Sequence, residues 1–478
     1  MAWGVAQVAL AKRSPDPWRV AVVQTDANQA KRLSRMPGQR LEARRPPRGV
    51  PVIDVNDRVR YQTIKGVGGA MTDSSAYLID DKLGPAARSR LLHSLFSSSG
   101  AGLSFLRLPM AASDFSAQGR PYSYDDLPAG RTDPQLAHFS VAHDDAYIIP
   151  MLREVRRIDP ATKIIATPWS PPAWMKTNDL PSDLGHSGRL LEADEPVLAQ
   201  YFVKFIQAYA RRGIPIYAVT PENEPRAAAA YPSMSFPASS EASWIVQDLL
   251  PAFRAAKLST KVYGADTSLG APSYAEQVAD ADSGRGLYGI AQHCYHGTPS
   301  VFSELHAAHP RLNLILSECA SELVPYSAAE TVIASLRNWA SVVMLWNLAL
   351  DPSGGPVQAP DSGCRPCRGL VTVNPRTHAV SYGLAYYQLG QLGRFLRPGA
   401  RRIRSNSLVH YQSGDGASRT FGASSGVDDV AVRDPDGRLA LMTYNTSGRA
   451  IRFAVSWRGR SFVYRLPAHA TATFSWSS

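Results

Sequence analysis

Residues 214–225 read IPIYAVTPENEP, a short apolar run that ends at a polar segment bounded by two prolines. The run has the length and composition of a buried β-strand. Apolar residues at steps of three and four predict a helix before it, over Val197–Arg212, and a second helical stretch, Glu241–Leu258, follows it. The segment is therefore one strand of an alternating β/α chain, and its polar end marks where that strand stops.

The same alternation extends through most of the chain. Between Gly66 and Leu396, short apolar runs predict eight strands, at Gly66–Met71, Ser104–Leu108, Lys163–Thr167, Pro215–Thr220, Lys261–Asp266, Tyr288–His293, Leu312–Ser317 and Val342–Asn347. Further helical patterns lie at Asp145–Ile158, Ser300–Ala308 and Ala328–Ala340. Eight units predict an α/β fold with a (β/α)8 TIM barrel over residues 61–396. The alternative, a doubly wound open sheet, usually carries a glycine-rich phosphate loop whose spacing residues 66–69 lack.

Both ends of the chain differ from this alternating region. Residues 397–478 hold short β-rich runs separated by turns such as Asp434-Pro435-Asp436-Gly437. Residues 1–60 hold β-like runs at Trp18–Val23 and Val50–Val55. Because chain termini often lie close together, we expect the two end segments to form one all-β sandwich domain attached to the barrel.

Composition excludes several classes of protein. The 478 residues carry 51 Lys+Arg against 40 Asp+Glu, a net charge of +11, with 44% hydrophobic residues, which is ordinary for a folded protein. No apolar run approaches the ~20 residues that cross a bilayer, so we predict no integral membrane span. Arginine is scattered without a basic stripe interleaved with aromatic residues, so we predict no nucleic-acid partner. The sequence does not predict an oligomeric state.

The cysteines and the N-terminus bear on the compartment. Met1–Lys12 is apolar, but it is short and has no basic residue before it, so it is a poor secretion signal. A local disulfide between Cys364 and Cys367 would fit an exported protein, whereas a zinc site would need further ligands nearby. Cys294 and Cys319 are interpreted as small buried residues. We predict an extracellular protein, with a cytoplasmic one as the alternative.

Candidate catalytic residues follow from the barrel, because its active site lies at the carboxyl ends of the strands. The fourth strand ends in Glu222-Asn223-Glu224 and the seventh in Ser317-Glu318, which brings two carboxylates to one rim. Glu222 is interpreted as a surface charge or a helix N-terminal residue. Paired carboxylates with aromatic platforms suit glycosidic bond cleavage, in which one carboxyl is protonated and the other ionised. Other predicted strand ends and the loop after the third strand add Arg107, Trp169, His293, Tyr295, Trp346 and Asn347.

A series of short motifs then stands in a characteristic order. They are Gly68–Asp73 (GGAMTD), Leu106–Met110 (LRLPM), Ser113–Ser116 (SDFS), Tyr122–Tyr124 (YSY), Thr167–Lys176 (TPWSPPAWMK), Asn223–Pro225 (NEP), His293–Tyr295 (HCY), Ser317–Glu318 (SE) and Trp346–Asp351 (WNLALD). Together they resemble glycoside hydrolase family 30, which includes glucosylceramidases and β-1,6-glucanases. The resemblance extends from about Gly66 to the C-terminus.

The resemblance implies a retaining mechanism with a covalent glycosyl-enzyme intermediate, and a barrel paired with a β-sandwich built from both chain ends. It implies Glu224 as the acid/base and Glu318 as the nucleophile. Asn223 would bond the sugar 2-hydroxyl, and Arg107 would hold the nucleophile carboxylate. The sugar in the −1 subsite would contact Asp114, Trp169, Tyr231, His293, Tyr295 and Trp346.

We therefore predict a retaining β-glycoside hydrolase of the glucosylceramidase type, acting on a carbohydrate or glycolipid without a metal or cofactor. The alternative is an endo-β-1,6-glucanase, or another β-glycanase or β-glycosidase of the same family. Residues 226–230 are Ala-rich and look shorter than in glucosylceramidases, which leaves the aglycone open. A non-catalytic carbohydrate-binding barrel would require the loss of one carboxylate, and both are present.

Overall fold

The structure is a computed structural model that describes the chain except for residues 1–15, 17, 187, 283, 285, 359–363, 365 and 409–425. Met1–Lys12, considered above as a secretion signal, lies outside the described residues. The first three strands of the described chain lie outside the barrel. They are β1 (Arg19–Thr25), β2 (Ser34–Arg40) and β3 (Val52–Thr63).

Eight parallel strands then close into a barrel. They are β4 (Gly66–Ala70), β5 (Phe105–Met110), β6 (Lys163–Pro168), β7 (Ala218–Val219), β8 (Lys261–Ser268), β9 (Gly289–His293), β10 (Asn313–Glu318) and β11 (Ala340–Leu345). Closure comes from pairing of β11 with β4. The predicted TIM barrel is confirmed, and each of its eight predicted strands overlaps an observed one. The largest difference in length is at β7, where only two residues are paired.

Helices alternate with these strands and pack around them. They are α1 (Asp73–Asp80), α2 (Pro85–Phe96), α3 (Ile148–Ile158), α4 (Glu195–Arg211), α5 (Ala238–Trp244), α6 (Leu250–Ala255), α7 (Pro272–Asp282), α8 (Ser300–Ala308), α9 (Ala328–Arg337) and α10 (Leu384–Gly393). The helix predicted at Glu241–Leu258 is divided by a π-helical turn at Ile245–Leu249. Among the described residues, no helix has the length and hydropathy needed to cross a membrane.

Side chains fill the barrel interior from successive strands. The buried inward residues are Phe105, Ile165, Ala218, Tyr263, Ala291, Ile315, Val342 and Met344. A barrel packed in this way is a core rather than a pore, so a substrate can reach only its rim. On β4 the space that a side chain would need at Gly68 is taken up by Phe105, with which Gly68 pairs. A Cβ atom at Gly68 would lie 2.0 Å from the Phe105 carbonyl oxygen.

The remaining strands form two sheets outside the barrel. They are β12 (Ala349–Leu350), β13 (Val371–Val373), β14 (Val380–Tyr382), β15 (Arg401–Ser405), β16 (Val427–Arg433), β17 (Arg438–Asn445), β18 (Ile451–Trp457), β19 (Arg460–Leu466) and β20 (Thr471–Ser477). Strands from both chain ends join in one nine-stranded sheet, in the order β19-β18-β3-β15-β16-β17-β20-β1-β2. Its buried side chains enclose a second core that includes Phe453, Trp457 and Phe474. The prediction of a β-domain built from the N- and C-terminal segments is confirmed.

Buried hydrogen bonds connect this domain to the barrel. Gln391 on α10 has no exposed surface. Its Nε2 donates to Thr25 Oγ1 over 2.8 Å, and its Oε1 accepts from Thr473 Oγ1 over 2.9 Å. Thr25 and Thr473 lie on β1 and β20, so one barrel helix binds strands from both ends of the chain.

We expect Gly68→Ala to destabilise the protein, because the added methyl group meets backbone atoms that cannot move aside. Overpacking of this kind costs about 1–3 kcal/mol. Thermal unfolding should therefore show a Tm several degrees below that of the wild type. Gly448→Ala is the matched control, since the nearest atom to its added Cβ is 4.0 Å away. Equal Tm values for the two variants would contradict the close packing of β4 on β5.

Candidate active site

A buried network of charged side chains occupies the carboxyl end of the barrel, with Arg107 of β5 at its centre. Arg107 has no exposed surface. Its Nη1 donates to Glu318 Oε2 over 2.5 Å, and its Nη2 donates to Asn223 Oδ1 over 2.6 Å and to Asp266 Oδ2 over 2.9 Å. A guanidinium is a planar donor with a permanent charge, so it can hold groups from several strands in one fixed arrangement.

His293, at the end of β9, links the same carboxylates from the other side. Its Nδ1 lies 3.0 Å from Glu224 Oε1 and 3.6 Å from Glu318 Oε1, and its Nε2 lies 3.1 Å from Asp266 Oδ1. Burial lowers the pKa of His293, but the surrounding carboxylates outweigh it and raise the pKa to about 10. At neutral pH, His293 is therefore an imidazolium whose two N–H groups donate to Glu224 and Asp266.

Glu224 and Glu318 lie close together. An oxygen of each carboxylate and a nitrogen of His293 all lie within 4.8 Å of one another. Retaining glycosidases place their carboxyl groups about 5–5.5 Å apart, and inverting ones about 6.5–9.5 Å apart. Oxygens within 4.8 Å of each other lie closer than the separation that inverting enzymes use.

The two carboxyl groups differ in their hydrogen-bond donors. Burial favours the protonated form of both. For Glu224, the hydrogen bond from His293 and the charges of His293 and Arg107 outweigh burial and lower the pKa. For Glu318, burial outweighs the charges of His293 and Arg107 and raises the pKa, with the negative charge of Glu224 adding to the effect. At this distance the carboxyl groups titrate as a pair.

Tyr295 fixes the second oxygen of Glu318. Its hydroxyl donates to Glu318 Oε1 over 2.9 Å and accepts from the Ala320 amide over 3.1 Å. Because the Ala320 amide can only donate, it orients the tyrosine proton towards the carboxylate. Both oxygens of Glu318 therefore accept hydrogen bonds, one from Tyr295 and one from Arg107.

Aromatic rings form a wall beside the carboxylates. The rings of Trp169 and Trp346 stack with their centroids 5.3 Å apart. The guanidinium carbon of Arg107 lies 4.7 Å from the Trp169 ring centroid, within the range of a cation–π contact. Tyr231 packs against the same cluster. Such rings offer apolar faces that suit the C–H face of a sugar.

Asp114 adds an acceptor to this wall. It is 7% exposed, and its Oδ1 is buried without a hydrogen-bond partner among the described residues. Burial and the nearby charges of Glu318 and Glu224 raise the pKa of Asp114 well above its usual range. A buried polar atom without a partner is costly, so this oxygen is well placed to bond a substrate hydroxyl.

Asn347 follows the eighth barrel strand, but its side chain bonds to Thr72 and not to the charged network. It has no exposed surface, and its Oδ1 accepts from Thr72 Oγ1 over 2.8 Å. Asn347 is better placed to support Thr72 than to touch a sugar directly.

Asp266 was not among the predicted site residues, yet it contacts four other barrel strands or their ends. It has no exposed surface and binds Arg107 and His293 as described above. It also accepts from Thr220 Oγ1 over 2.8 Å and from Ser317 Oγ over 2.5 Å. Burial alone would raise the pKa of Asp266, but Arg107 and His293 hold it well below its usual range. The strand-end rule could have identified it, because it ends the fifth predicted strand.

An irregularity in β8 turns Asp266 inwards. Ala265 and Asp266 both have positive φ angles, 76° and 39°, and the pairing with β9 shifts register between Ala265 and Thr267. A bulge of this kind re-aims side chains next to functional sites. Glu241 of α5 supports it, since its Oε1 accepts from the Ala265 amide over 2.7 Å.

Glu222 is wrongly interpreted above as a surface or helix N-terminal residue. It is 1% exposed, and burial raises its pKa well above its usual range, with Lys176 opposing the shift. Lys176 is itself buried and donates to the Ser233 carbonyl over 2.7 Å. The charge of Lys176, which lies in the loop after the third barrel strand, partly offsets the burial of Glu222, and the sequence around Glu222 does not reveal this.

The cysteines form two disulfides, Cys294–Cys319 and Cys364–Cys367. Cys294 and Cys319 are buried as predicted, but they are bonded to each other rather than separate. The reason is register: His293 pairs with Glu318 across β9 and β10, so the next residues meet.

Comparison with known proteins supports the same chemistry. Residues 64–396 match the model of the glycosyl hydrolase family 30 TIM-barrel domain, and residues 399–474 match that of its beta sandwich domain. An endo-1,6-beta-D-glucanase of Neurospora crassa is 35% identical over 86% of this chain and 86% of its own. The lysosomal acid glucosylceramidase of Mus musculus is 29% identical over 91% of this chain and 85% of its own. The solved structure of the endo-beta1,6-glucanase BT3312 has a TM-score of 0.81 and 28% identity, covering 96% of this chain and 99% of that one.

We expect Asp266→Asn to lower the pKa of His293 from about 10 towards its ordinary value. A nearby opposite charge shifts a pKa by about 1–3 units, and this variant removes one such charge. Because the folded-state pKa of His293 is raised, its charge stabilises the protein below about pH 6.5 and that contribution is lost as pH rises through the folded pKa. In the variant, this contribution to stability should begin to be lost at a lower pH than in the wild type.

NMR of 13C-labelled histidine, assigned with His293→Gln, measures the pKa directly, and Tm against pH measures the stability. Asp54→Asn, at an exposed position on β3, is the control for the loss of one carboxylate. A His293 resonance that still titrates near its wild-type pKa in Asp266→Asn would contradict the assigned coupling.

Proposed function

The chain belongs to glycoside hydrolase family 30, and we propose that it is a retaining endo-β-1,6-glucanase with Glu318 as nucleophile and Glu224 as acid/base. The observation that carries the chemistry is the pair of carboxylates whose oxygens lie within 4.8 Å at the barrel rim. The relatives support the 1,6-glucanase alternative better than the glucosylceramidase type preferred from sequence, because identity to the former is higher.

Glu318 suits the nucleophile because both of its oxygens are held by donors, Arg107 and Tyr295. The Arg107 charge and the Tyr295 hydrogen bond oppose the effect of burial, which raises the Glu318 pKa, and they fix the direction from which the carboxylate attacks. In the first step the carboxylate bonds to the anomeric carbon as the leaving-group oxygen departs with a proton, giving a covalent glycosyl-enzyme.

Glu224 suits the acid/base because its side chain is 25% exposed and faces the solvent side of the pair. Because Glu224 and Glu318 titrate as a pair, the first step proceeds from the form in which Glu224 carries the proton that the pair binds and Glu318 is ionised. His293, whose Nδ1 lies 3.0 Å from Glu224 Oε1, keeps its own proton and holds Glu224 in position. In the second step, Glu224 removes a proton from water, which attacks the anomeric carbon and releases Glu318.

The remaining side chains hold the sugar. Asn223 is fixed by Arg107, and its carboxamide lies beside the nucleophile, where it can bond the 2-hydroxyl. Asp114 offers an unpaired acceptor, and the stacked rings of Trp169 and Trp346 offer apolar faces. Interactions with the hydroxyls next to the reacting carbon strengthen as charge develops on the ring.

We assign the leaving-group side to a polar groove that suits a carbohydrate better than a ceramide. A groove of about 520 Å³ begins at Pro225 and Arg226, which follow Glu224 directly. Most of its lining side chains can hydrogen-bond, namely His186, Arg189, Arg226, Ser235, Ser273, Tyr274 and Gln277. A second sugar presents hydroxyl groups to such a wall, whereas two alkyl chains would leave its polar groups unpaired.

We propose further that the protein acts outside the cytoplasm. Disulfides persist in oxidising compartments and are rare in the cytosol, and this chain has two of them. This supports the extracellular location predicted from the sequence.

Glu318→Ala should reduce hydrolysis of 2,4-dinitrophenyl β-gentiobioside by at least about a thousandfold, because no covalent intermediate can form. Added azide should restore turnover as the α-glycosyl azide, since azide then attacks from the side where Glu318 stood. Glu224→Ala should instead yield the β-glycosyl azide, by attack on the covalent intermediate. Nuclear magnetic resonance of the products distinguishes the anomers.

The control for this experiment is Glu304→Ala, which removes a carboxylate from an exposed position on α8. It should behave as the wild type. Wild-type activity in Glu318→Ala, or the β anomer from that variant, would refute the assignment of the nucleophile.

We expect initial rates on the linear β-1,6-glucan pustulan to exceed those on detergent-solubilised glucosylceramide by at least about tenfold, because the leaving-group groove is polar. Chromatography of the early products tests endo action, which should release gentio-oligosaccharides. Arg226→Ala should lower kcat/KM on pustulan more than on an aryl β-glucoside, because it removes a donor from the groove. Arg254→Ala, an exposed change of the same charge on α6, is its control.

Faster hydrolysis of glucosylceramide than of pustulan would refute the glucanase proposal in favour of the glucosylceramidase type. Such an outcome would leave the roles of Glu224 and Glu318 unaffected, since both activities use the same pair.

A further inference from the structure

A disulfide connects the two residues that directly follow the ends of β9 and β10. Cys294 comes after His293, and Cys319 comes after Glu318. Both cysteines are almost fully buried, at 2% and 1% exposure. The covalent bond therefore lies in the core that the barrel strands share with the surrounding helices, and each cysteine directly follows a member of the charged network.

The backbone ladder is irregular at this point. Leu316 pairs with Gln292, but the next pair is Glu318 with His293, so Ser317 is an extra residue on β10. Beyond the irregularity, the Cys294 amide donates to the Glu318 carbonyl over 3.1 Å. A bulge leaves local pairing weaker than in a regular ladder. The disulfide supplies a covalent connection just where the hydrogen-bonded ladder is interrupted.

The same two cysteines hold neighbouring parts of the site. The Cys319 carbonyl accepts from the Trp346 amide over 2.9 Å. The Cys294 carbonyl accepts from the Tyr326 hydroxyl over 2.7 Å. Cys294 also precedes Tyr295, whose hydroxyl binds Glu318. A shift of either cysteine would therefore move Glu318, Tyr295 or the backbone of Trp346.

We infer that the Cys294–Cys319 disulfide is a positioning element for the nucleophile, and that the oxidised chain is the fully active form. The inference rests on the proposed function, because it takes Glu318 as the nucleophile. Catalysis needs reacting groups held to within a fraction of an ångström, and a bond between the two strand ends limits their relative movement.

Reduction would remove that limit. A dithiol such as dithiothreitol supplies two electrons and two protons, the S–S bond breaks, and two buried thiols form while the reductant becomes a cyclic disulfide. The ends of β9 and β10 would then be held by hydrogen bonds alone. Glu318 would keep its partners but sample a wider range of positions.

The double variant Cys294→Ala/Cys319→Ala tests the inference without a reductant. We expect kcat on an aryl β-gentiobioside to fall at least about tenfold while KM changes less than about twofold, because the attack is impaired and the sugar wall is retained. A disulfide also stabilises the fold, so assays run well below the Tm of the variant. Val455→Ala, in the core of the nine-stranded sheet, provides a control with lowered Tm and an unchanged barrel.

Two further measurements complete the test. N-ethylmaleimide labelling of denatured, unreduced wild type, read by mass spectrometry, should find Cys294 and Cys319 unmodified. Wild type refolded with dithiothreitol should show the same lowered kcat as the double variant, and it should recover on reoxidation.

An equally active double variant, or alkylated Cys294 and Cys319 in the unreduced wild type, would overturn the inference. An equally active double variant, found alongside an active wild type and an inactive Glu318→Ala, would overturn the positioning role and leave the proposed function standing. A wild type inactive on β-glucans and aryl β-glycosides would overturn the proposed function, and this inference with it.

Discussion

The guanidinium of Arg107 is buried between Glu318, Asn223 and Asp266, and the rest of the site depends on that interaction. Ionised carboxylates are costly to bury unless cations and hydrogen bonds compensate them. Here two buried cations, Arg107 and His293, face several buried carboxylates at one rim. Two cations do not neutralise all of these carboxylates, so Glu224 and Glu318 titrate as a pair. A proton can then be bound by either carboxyl group, and general acid catalysis requires it on one of them.

The barrel makes this balance possible by bringing groups from different strands to one place. Its interior is filled by side chains such as Phe105 and Tyr263. The polar side chains at the strand ends therefore stay at the rim, because the interior has no space for them. The same packing depends on Gly68, which lets β4 approach β5. The packing of the core therefore also determines the geometry of the site, because a strand that shifts to relieve crowding moves the charged side chain at its end.

A second group of contacts fixes the residues that would touch the sugar. Asp266 holds Arg107 and His293 from a bulge that Glu241 supports. The disulfide Cys294–Cys319 joins the strand ends that carry His293 and Glu318. These features are buried and do not contact the substrate. They limit the positions that the two carboxylates can take, and a catalytic pair needs that restriction.

The sequence by itself determined the eight barrel strands, most of the helices and the arrival of Glu224 and Glu318 at the same rim, because periodicity and strand ends are local patterns. Only the tertiary structure decided how far apart those carboxylates lie, that Asp266 joins them, that Glu222 is buried and that Cys294 bonds Cys319. The position of Asp266 and the bond between Cys294 and Cys319 depend on register: a bulge in β8 turns Asp266 inwards, and an extra residue in β10 sets His293 opposite Glu318. Register is set by the packing of neighbouring strands, and no single segment of the chain contains it.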